Sequence, residues 1–349
     1  MEPFDNRLID RRVFRTTVIV IATLGAAYAL WKLADLLLLV FACGLVALIF
    51  FDIARWICQR TPLGFGVSLA VTVVGLLAGL AGAFWFFGAS MSSEFSELAE
   101  RLPAAYTTFE TQLQRTTIGK ALVQRAAEFA PDGQSVVNLI TNVAASFGAA
   151  VSALVVVIIG GIYLAAQPRL YGRGVIILTP QGARGKIRHT FDSVCDSLNA
   201  WLLGQGLGML FVGIATTIGL WLVGIPAAPA IGLIAGLCEF VPYLGTIVVG
   251  IPAVILGFSE STTTGVWTLV VLFVVQQVQG NLVMPLLQSR MVEMPPALTI
   301  FSLVALGVLL GPVGVILATP LTVVAMVIVK AVYVQPSDLN RDDRKDLAV

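Results

Sequence analysis

Residues 226 to 258 read PAAPAIGLIAGLCEFVPYLGTIVVGIPAVILGF, and the fold turns on how this stretch is understood. It is apolar for more than thirty residues, yet it carries Pro226, Pro229, Gly236, Pro242, Gly245, Gly250 and Pro252, with a single acid at Glu239. A proline inside a helix removes a backbone donor and clashes with the preceding turn, at about 3 kcal/mol. Two half-helices meeting near Pro242 accommodate these residues better than one rod. Irregular backbone survives at membrane depth only where it faces protein or a water-filled cavity. The stretch therefore predicts a membrane-embedded chain with a hollow beside Pro242, and the hollow is where a solute would sit.

The rest of the chain supports a lipid solvent. Of 349 residues, 58% are hydrophobic and 12% charged, against about 25% charged in an average soluble domain. Apolar blocks fall at 16–31, 33–51, 63–90, 143–167, 200–224, 226–258, 264–288 and 295–334, and several match the roughly 20 residues a helix needs to cross hydrocarbon. The expected fold class is all-α: a polytopic integral membrane protein of about eight transmembrane helices, with broken or re-entrant segments in the C-terminal half. Net charge is +1, and no basic stripe interleaves with aromatics, so nucleic acid is not a partner.

Lys and Arg gather in the N-terminal tail, at Arg55 and Arg60, from Arg169 to Arg188, and at Arg341, Arg344 and Lys345. The positive-inside rule places these segments in the cytoplasm, with both termini inward. Arg7, Arg11, Arg12 and Arg15 precede an apolar run as in a signal peptide, but no small-residue cleavage pattern closes it. The first two blocks then form a tight hairpin near Lys32 and Asp35. The expected organisation is helices over 1–90, an external amphipathic insert over 91–142, one helix over 143–167, a cytoplasmic insert over 168–197 opened by Pro168, a core of broken helices over 198–334, and a tail over 335–349. In the external insert, Phe95, Leu98, Leu102, Tyr106, Phe109 and Leu113 recur at helical spacing among acids. The last block repeats the proline and glycine device: Gly311, Pro312, Gly314 and Pro320 divide 295–310 from 313–334. Paired interrupted segments are the best sequence pointer to a transporter site. The expected helix breaks are Pro226, Pro252, Gly311, Gly314 and Pro320.

Glu239 is the leading functional candidate, because an ionised carboxylate in an apolar run costs several kcal/mol without water or a partner. It suits a proton or cation site; alternatively it rests, solvated, at a rim. Gln276, Gln277, Gln279 and Asn281 crowd the seventh block ahead of Pro285. Such amides either glue helices together or line a polar path for a hydroxylated solute. Arg290 and Glu293 are a gate contact or a solvated ion pair of small energy, and Asp52, Asp192 and Asp196 sit at interfaces with no role assigned. His189 lies among Arg184, Lys186 and Arg188 and is a solvated loop residue. Cys43, Cys58, Cys195 and Cys238 have no metal-ligand spacing. Gly204, Gly206 and Gly208 read as close helix packing. No HExxH, Walker-type GxxxxGK[ST] or GxSxG is present, so no cofactor, metal or enzyme activity is expected.

The C-terminal half resembles the autoinducer-2 exporter family of PerM-like permeases. The resemblance is carried by Phe240-Val241-Pro242-Tyr243-Leu244-Gly245, Pro252, Gln276-Gln277, Gly280-Asn281, Pro285, Pro296, Gly311, Gly314 and Pro320-Leu321. Over the N-terminal half it extends only to hydropathy and insert placement. It implies a bacterial inner-membrane protein, a homo-oligomer, that exports autoinducer-2 or a related small polar solute, while some similar proteins exchange sodium for protons. By the same resemblance, Pro242, Tyr243, Gly245 and the stretch from Gln276 to Pro285 form the transport path. Gln279 departs from the pattern, standing where family members often have an acid, which leaves Glu239 as the central carboxylate. The amide-rich path favours export of a neutral hydroxylated solute. A sodium/proton antiporter and a non-transporting scaffold acting through 91–142 are the competing readings.

Overall fold

A computed structural model describes residues 31–79, 154–177, 179–242, 244–288 and 294–333, with single positions at 17, 18, 21, 23, 25, 28, 29, 81, 82 and 111. Apart from Thr111, the insert expected over 91–142 lies outside the described residues, as does the tail over 335–349. Every described element is a helix, and no strand occurs among them. In chain order they are α1 (Ala34–Arg60), α2 (Phe65–Gly79), α3 (Leu154–Ala166), α4 (Pro168–Ile177), α5 (Arg184–Val223), α6 (Ala228–Cys238), α7 (Leu244–Glu260), α8 (Thr262–Val278), α9 (Met284–Gln288) and α10 (Pro296–Tyr333). Gln279–Val283, between α8 and α9, is a π-turn.

Side chains are distributed as lipid requires. Val308, Leu286, Phe301 and Leu222 are 82%, 77%, 73% and 73% exposed, positions that in water would invite association. The interior instead collects polar groups, among them Ser68, Thr72, Gln205, Thr216, Thr268 and Thr322. Three of the threonines satisfy their hydroxyls one turn back: Thr72 donates to the Ser68 carbonyl at 2.8 Å, Thr268 to Thr264 at 2.9 Å and Thr322 to Ala318 at 2.7 Å. Among the described residues, four helical stretches are long and apolar enough to cross a membrane: Ala34–Arg60, Gln181–Val223, Thr262–Leu286 and Pro296–Ala331.

The hairpin expected near Lys32 and Asp35 does not form. The chain kinks instead: Leu33 has φ −92° and ψ 1°, outside the helical region, and α1 starts afresh at Ala34. The Leu33 amide still donates to Ala29 O and the Leu37 amide to Leu33 O, both at 2.9 Å, so the break falls where the sequence placed it but is a one-residue kink flanked by helical hydrogen bonds.

Gly224 ends α5 in the left-handed region (φ 85°), with the Ile225 amide returning to Leu220 O at 3.0 Å. Pro226 therefore sits in a true break. Its helix α6 is 11 residues long, about 16 Å, too short to cross the roughly 30 Å of hydrocarbon. The chain then turns after Cys238 and resumes as α7 at Leu244. Glycines let it press on α5: a Cβ on Gly236 would lie 2.8 Å from the Met209 carbonyl and 3.0 Å from Gly213 Cα. This corrects the expectation for Gly206, which has nothing within 4 Å of its Cβ position; Gly204 and Gly208 are buried, and Gly208 meets only the Gln279 amide at 4.0 Å. The close packing belongs to Gly213, Gly232 and Gly236.

α10 is two arms. Gly311 has φ 67° and ψ −156°, and a Cβ on Gly307 would lie 2.8 Å from Val315, eight residues on. A straight helix keeps such residues about 12 Å apart, so the chain doubles back at Gly311. Three expected breaks fail. Gly314 is helical, with Leu310 Cβ 2.6 Å from the place of its missing side chain. Pro252 and Pro320 lie inside continuous helix. Prolines are absorbed within membrane helices because neighbouring groups take up the freed carbonyl; a chain reversal needs the positive φ that only Gly311 supplies here.

Candidate functional site

The end of α6, the π-turn after α8 and the middle of α5 converge on one buried carboxylate. Glu239 follows the last residue of α6, its amide donating to Ala235 O at 3.0 Å. From α5, Gln205 Nε2 donates to the Glu239 backbone carbonyl, one of the acceptors that a helix end leaves unpaired. From the π-turn, Gln279 Nε2 donates to Glu239 Oε1 at 2.8 Å. Gln205, Glu239 and Gln279 are 2%, 4% and 4% exposed.

Local sequence explains the arrangement. Pro285 has no N–H to return to Asn281, and the Met284 amide reaches five residues back to Gln279 O, which widens the turn. Gly245 is buried behind the carboxylate, where a Cβ would come within 2.7 Å of Glu239 Oε2 and 2.8 Å of Ala235 O. Trp201 of α5 packs edge-on against Phe240, ring centres 5.7 Å apart, and closes one side. These groups border a cavity of about 320 Å³, whose walls also include Ser197, Pro242, Gln276, Thr299 and Thr319. That volume lies at the small end of the roughly 300–1,000 Å³ typical of small-molecule pockets.

Two oxygens in this site have no hydrogen-bond partner among the described residues: Glu239 Oε2 and Gln279 Oε1. Each such buried acceptor costs about 1–3 kcal/mol, so a tight fold keeps the pair only where something else engages them. No Lys or Arg borders the cavity among the described residues, and no described group of three His, Cys, Asp or Glu is placed to hold a metal ion.

A family profile described as the AI-2E family transporter matches residues 17–334. The chain belongs to the AI-2E transporter family. Among its relatives, the AI-2 transport protein TqsA of Escherichia coli (strain K12) is 24% identical over 345 residues, 93% of this chain and 95% of TqsA. YrrI and YueF of Bacillus subtilis (strain 168) are both named as presumed transport proteins. YrrI is 27% identical over 274 residues, 75% of this chain and 76% of its own length. YueF is 31% identical over 186 residues, 52% of this chain and 50% of its own length.

In this AI-2E family member, Glu239, Pro242, Gln276 and Gln279 reach the cavity and Gly245 backs it. Asn281 and Pro285 do not: neither borders the cavity, and both are exposed. Tyr243, Arg290 and Glu293 lie outside the described residues. Gln205 and the π-turn escaped the sequence reading. A polar amide in the apolar run WLLGQGLGML, residues 201–210, was the available signal, masked by the glycines on either side.

Proposed function

We propose that the chain is a secondary transporter that exports a small, neutral, polar solute of the autoinducer-2 kind, and that the solute passes through the Glu239–Gln279 cavity. The observation behind this is a pair of buried acceptors with no partner among the described residues, Glu239 Oε2 and Gln279 Oε1, on two side chains that border the cavity. A hydroxylated solute that reaches them supplies the donors they lack. An anion is disfavoured, since it would meet a carboxylate and no cation among the described residues. A relative named for AI-2 transport, TqsA, supports the choice of solute class, and the family supports a bacterial inner-membrane setting. The homo-oligomer that the sequence resemblance implies belongs to the same proposal.

The test uses inside-out vesicles carrying the full chain. Energised vesicles are expected to accumulate autoinducer-2 faster than vesicles from a deletion strain; equal rates overturn export of this solute. The second reading, cation/proton antiport, draws on the isolated carboxylate at Glu239. It requires sodium-dependent proton flux that disappears in Glu239→Gln. A scaffold, by contrast, has no use for a buried polar hollow, and it predicts neither flux.

A further inference from the structure

We infer that Glu239 and Gln279 form a proton-operated latch, in which one proton on Glu239 Oε2 clasps the α6–α7 link to the π-turn and a solute hydroxyl competes for the same oxygen. The inference rests on reading the cavity as a solute path.

A carboxylic acid and a primary amide are complementary, each offering one donor and one acceptor on adjacent atoms. Half of that pairing is in place, with Gln279 Nε2 donating to Glu239 Oε1 at 2.8 Å. The two atoms of the other half are the two buried side-chain atoms without partners, Glu239 Oε2 and Gln279 Oε1. Both are acceptors, so they cannot satisfy one another while Glu239 is ionised. Adding one proton to Oε2 turns it into a donor toward Gln279 Oε1, completes both hydrogen bonds and removes a charge from an apolar site. When a solute enters, the Oε2–H bond breaks, its electron pair stays on Oε2, the proton leaves to water in the cavity, and the carboxylate accepts the solute's hydroxyl instead. The site holds either the proton or the solute, which makes the exchange an antiport of one against the other.

Among the described residues, the surroundings leave this titration to Glu239. Cys238 adjoins it in the chain. Asp196 on α5 follows the long helix away from Ser197 of the cavity wall and interacts with Asp52 of α1, itself beside Arg55. Glu260 closes the far end of α7, and Lys330 and Tyr333 stand at the far end of α10. The stretch from Thr262 to Gln288 carries no ionisable side chain.

The experiment is infrared difference spectroscopy on the full chain in liposomes, with a pH dye outside and autoinducer-2 as probe. A protonated-carboxyl stretch that titrates in the native protein and is missing from Glu239→Gln is expected. Adding autoinducer-2 is expected to bleach that band and release one proton per solute bound. Its apparent affinity then weakens up to about tenfold for each unit by which the pH drops below the titration. Glu239→Gln, whose amide mimics the protonated acid, is expected to lose this pH dependence. Gln279→Leu, kept as a second variant should the first not fold, is expected to shift the band by removing its acceptor. Absence of any Glu239-dependent band overturns the latch, as does autoinducer-2 binding without proton release. Bleaching by sodium alone replaces the proton–solute competition with a cation site. A titrating band indifferent to autoinducer-2, in vesicles that also fail to move it, keeps the proton site and sinks the solute path.

Discussion

Gln205 carries no charge, yet by donating to the Glu239 backbone carbonyl it holds the end of α6 in place. Gln205→Leu keeps the volume and leaves the Glu239 carbonyl unpaired in a buried site. It is expected to cost about 1–3 kcal/mol, read as a lower thermal midpoint in detergent. Gly245→Ala acts on the same carboxylate from behind, driving a methyl toward Glu239 Oε2 and Ala235 O. Both obstacles are short-range, and Ala235 O is backbone that cannot swing away. The expected cost is about 1–3 kcal/mol, together with loss of solute flux in reconstituted vesicles beyond what the stability change explains. At this scale the sequence was half legible. Glu239 stood out because an acid in an apolar run is expensive; Gln205 did not, because an amide in such a run is cheap enough to be common. Only the fold brings position 205 to a carbonyl thirty-four residues away.

Among helical elements, prolines and glycines that look equivalent in the sequence do different things. Pro226 and Pro242 fall in links, whereas Pro252 and Pro320 ride inside helices. What separates them is the company they keep: Gly224 at φ 85° precedes Pro226, and Gly311 at φ 67° does the reversing in α10. Gly311→Ala places a side chain in a region of dihedral space that is essentially reserved for glycine, at roughly 1–3 kcal/mol. Since the reversal is what lets the two arms of α10 pack, the expected outcome is reduced yield of folded protein by fluorescence-detected size-exclusion chromatography. Gly314→Ala should behave similarly for a different reason, its methyl meeting the Leu306 carbonyl. The expected hairpin at Lys32 and Asp35 was right about the place and wrong about the extent. A turn does fall at Leu33, between the two charges, but the bonds from Leu33 to Ala29 and from Leu37 to Leu33 keep helix on both sides, so the chain kinks rather than folding back.

For the molecule as a whole, hydropathy made the solvent and the all-helical class plain, while the cavity depended on which faces turn inward. Gln276 and Asn281 lie five residues apart in one amide-rich run, and the π-turn sends them to opposite surroundings. Cysteines placed singly at these positions, in a background lacking the four native ones, should therefore separate. A membrane-impermeant maleimide is expected to label Gln276→Cys in competition with autoinducer-2, whereas Asn281→Cys labelling is indifferent to it. Equal behaviour at the two sites would remove the cavity from the transport path.

The shortness of α6 bears on electrical behaviour. At 11 residues it extends about 16 Å, roughly half the thickness of the insulating layer. If the cavity at its end holds water, as the proposed transport path requires, the membrane voltage drops over the thin septum that is left. A single charge carried through that septum meets nearly the full field, worth about 2.3 kcal/mol per 100 mV, so a few ångströms of travel there would do the electrical work of a complete crossing.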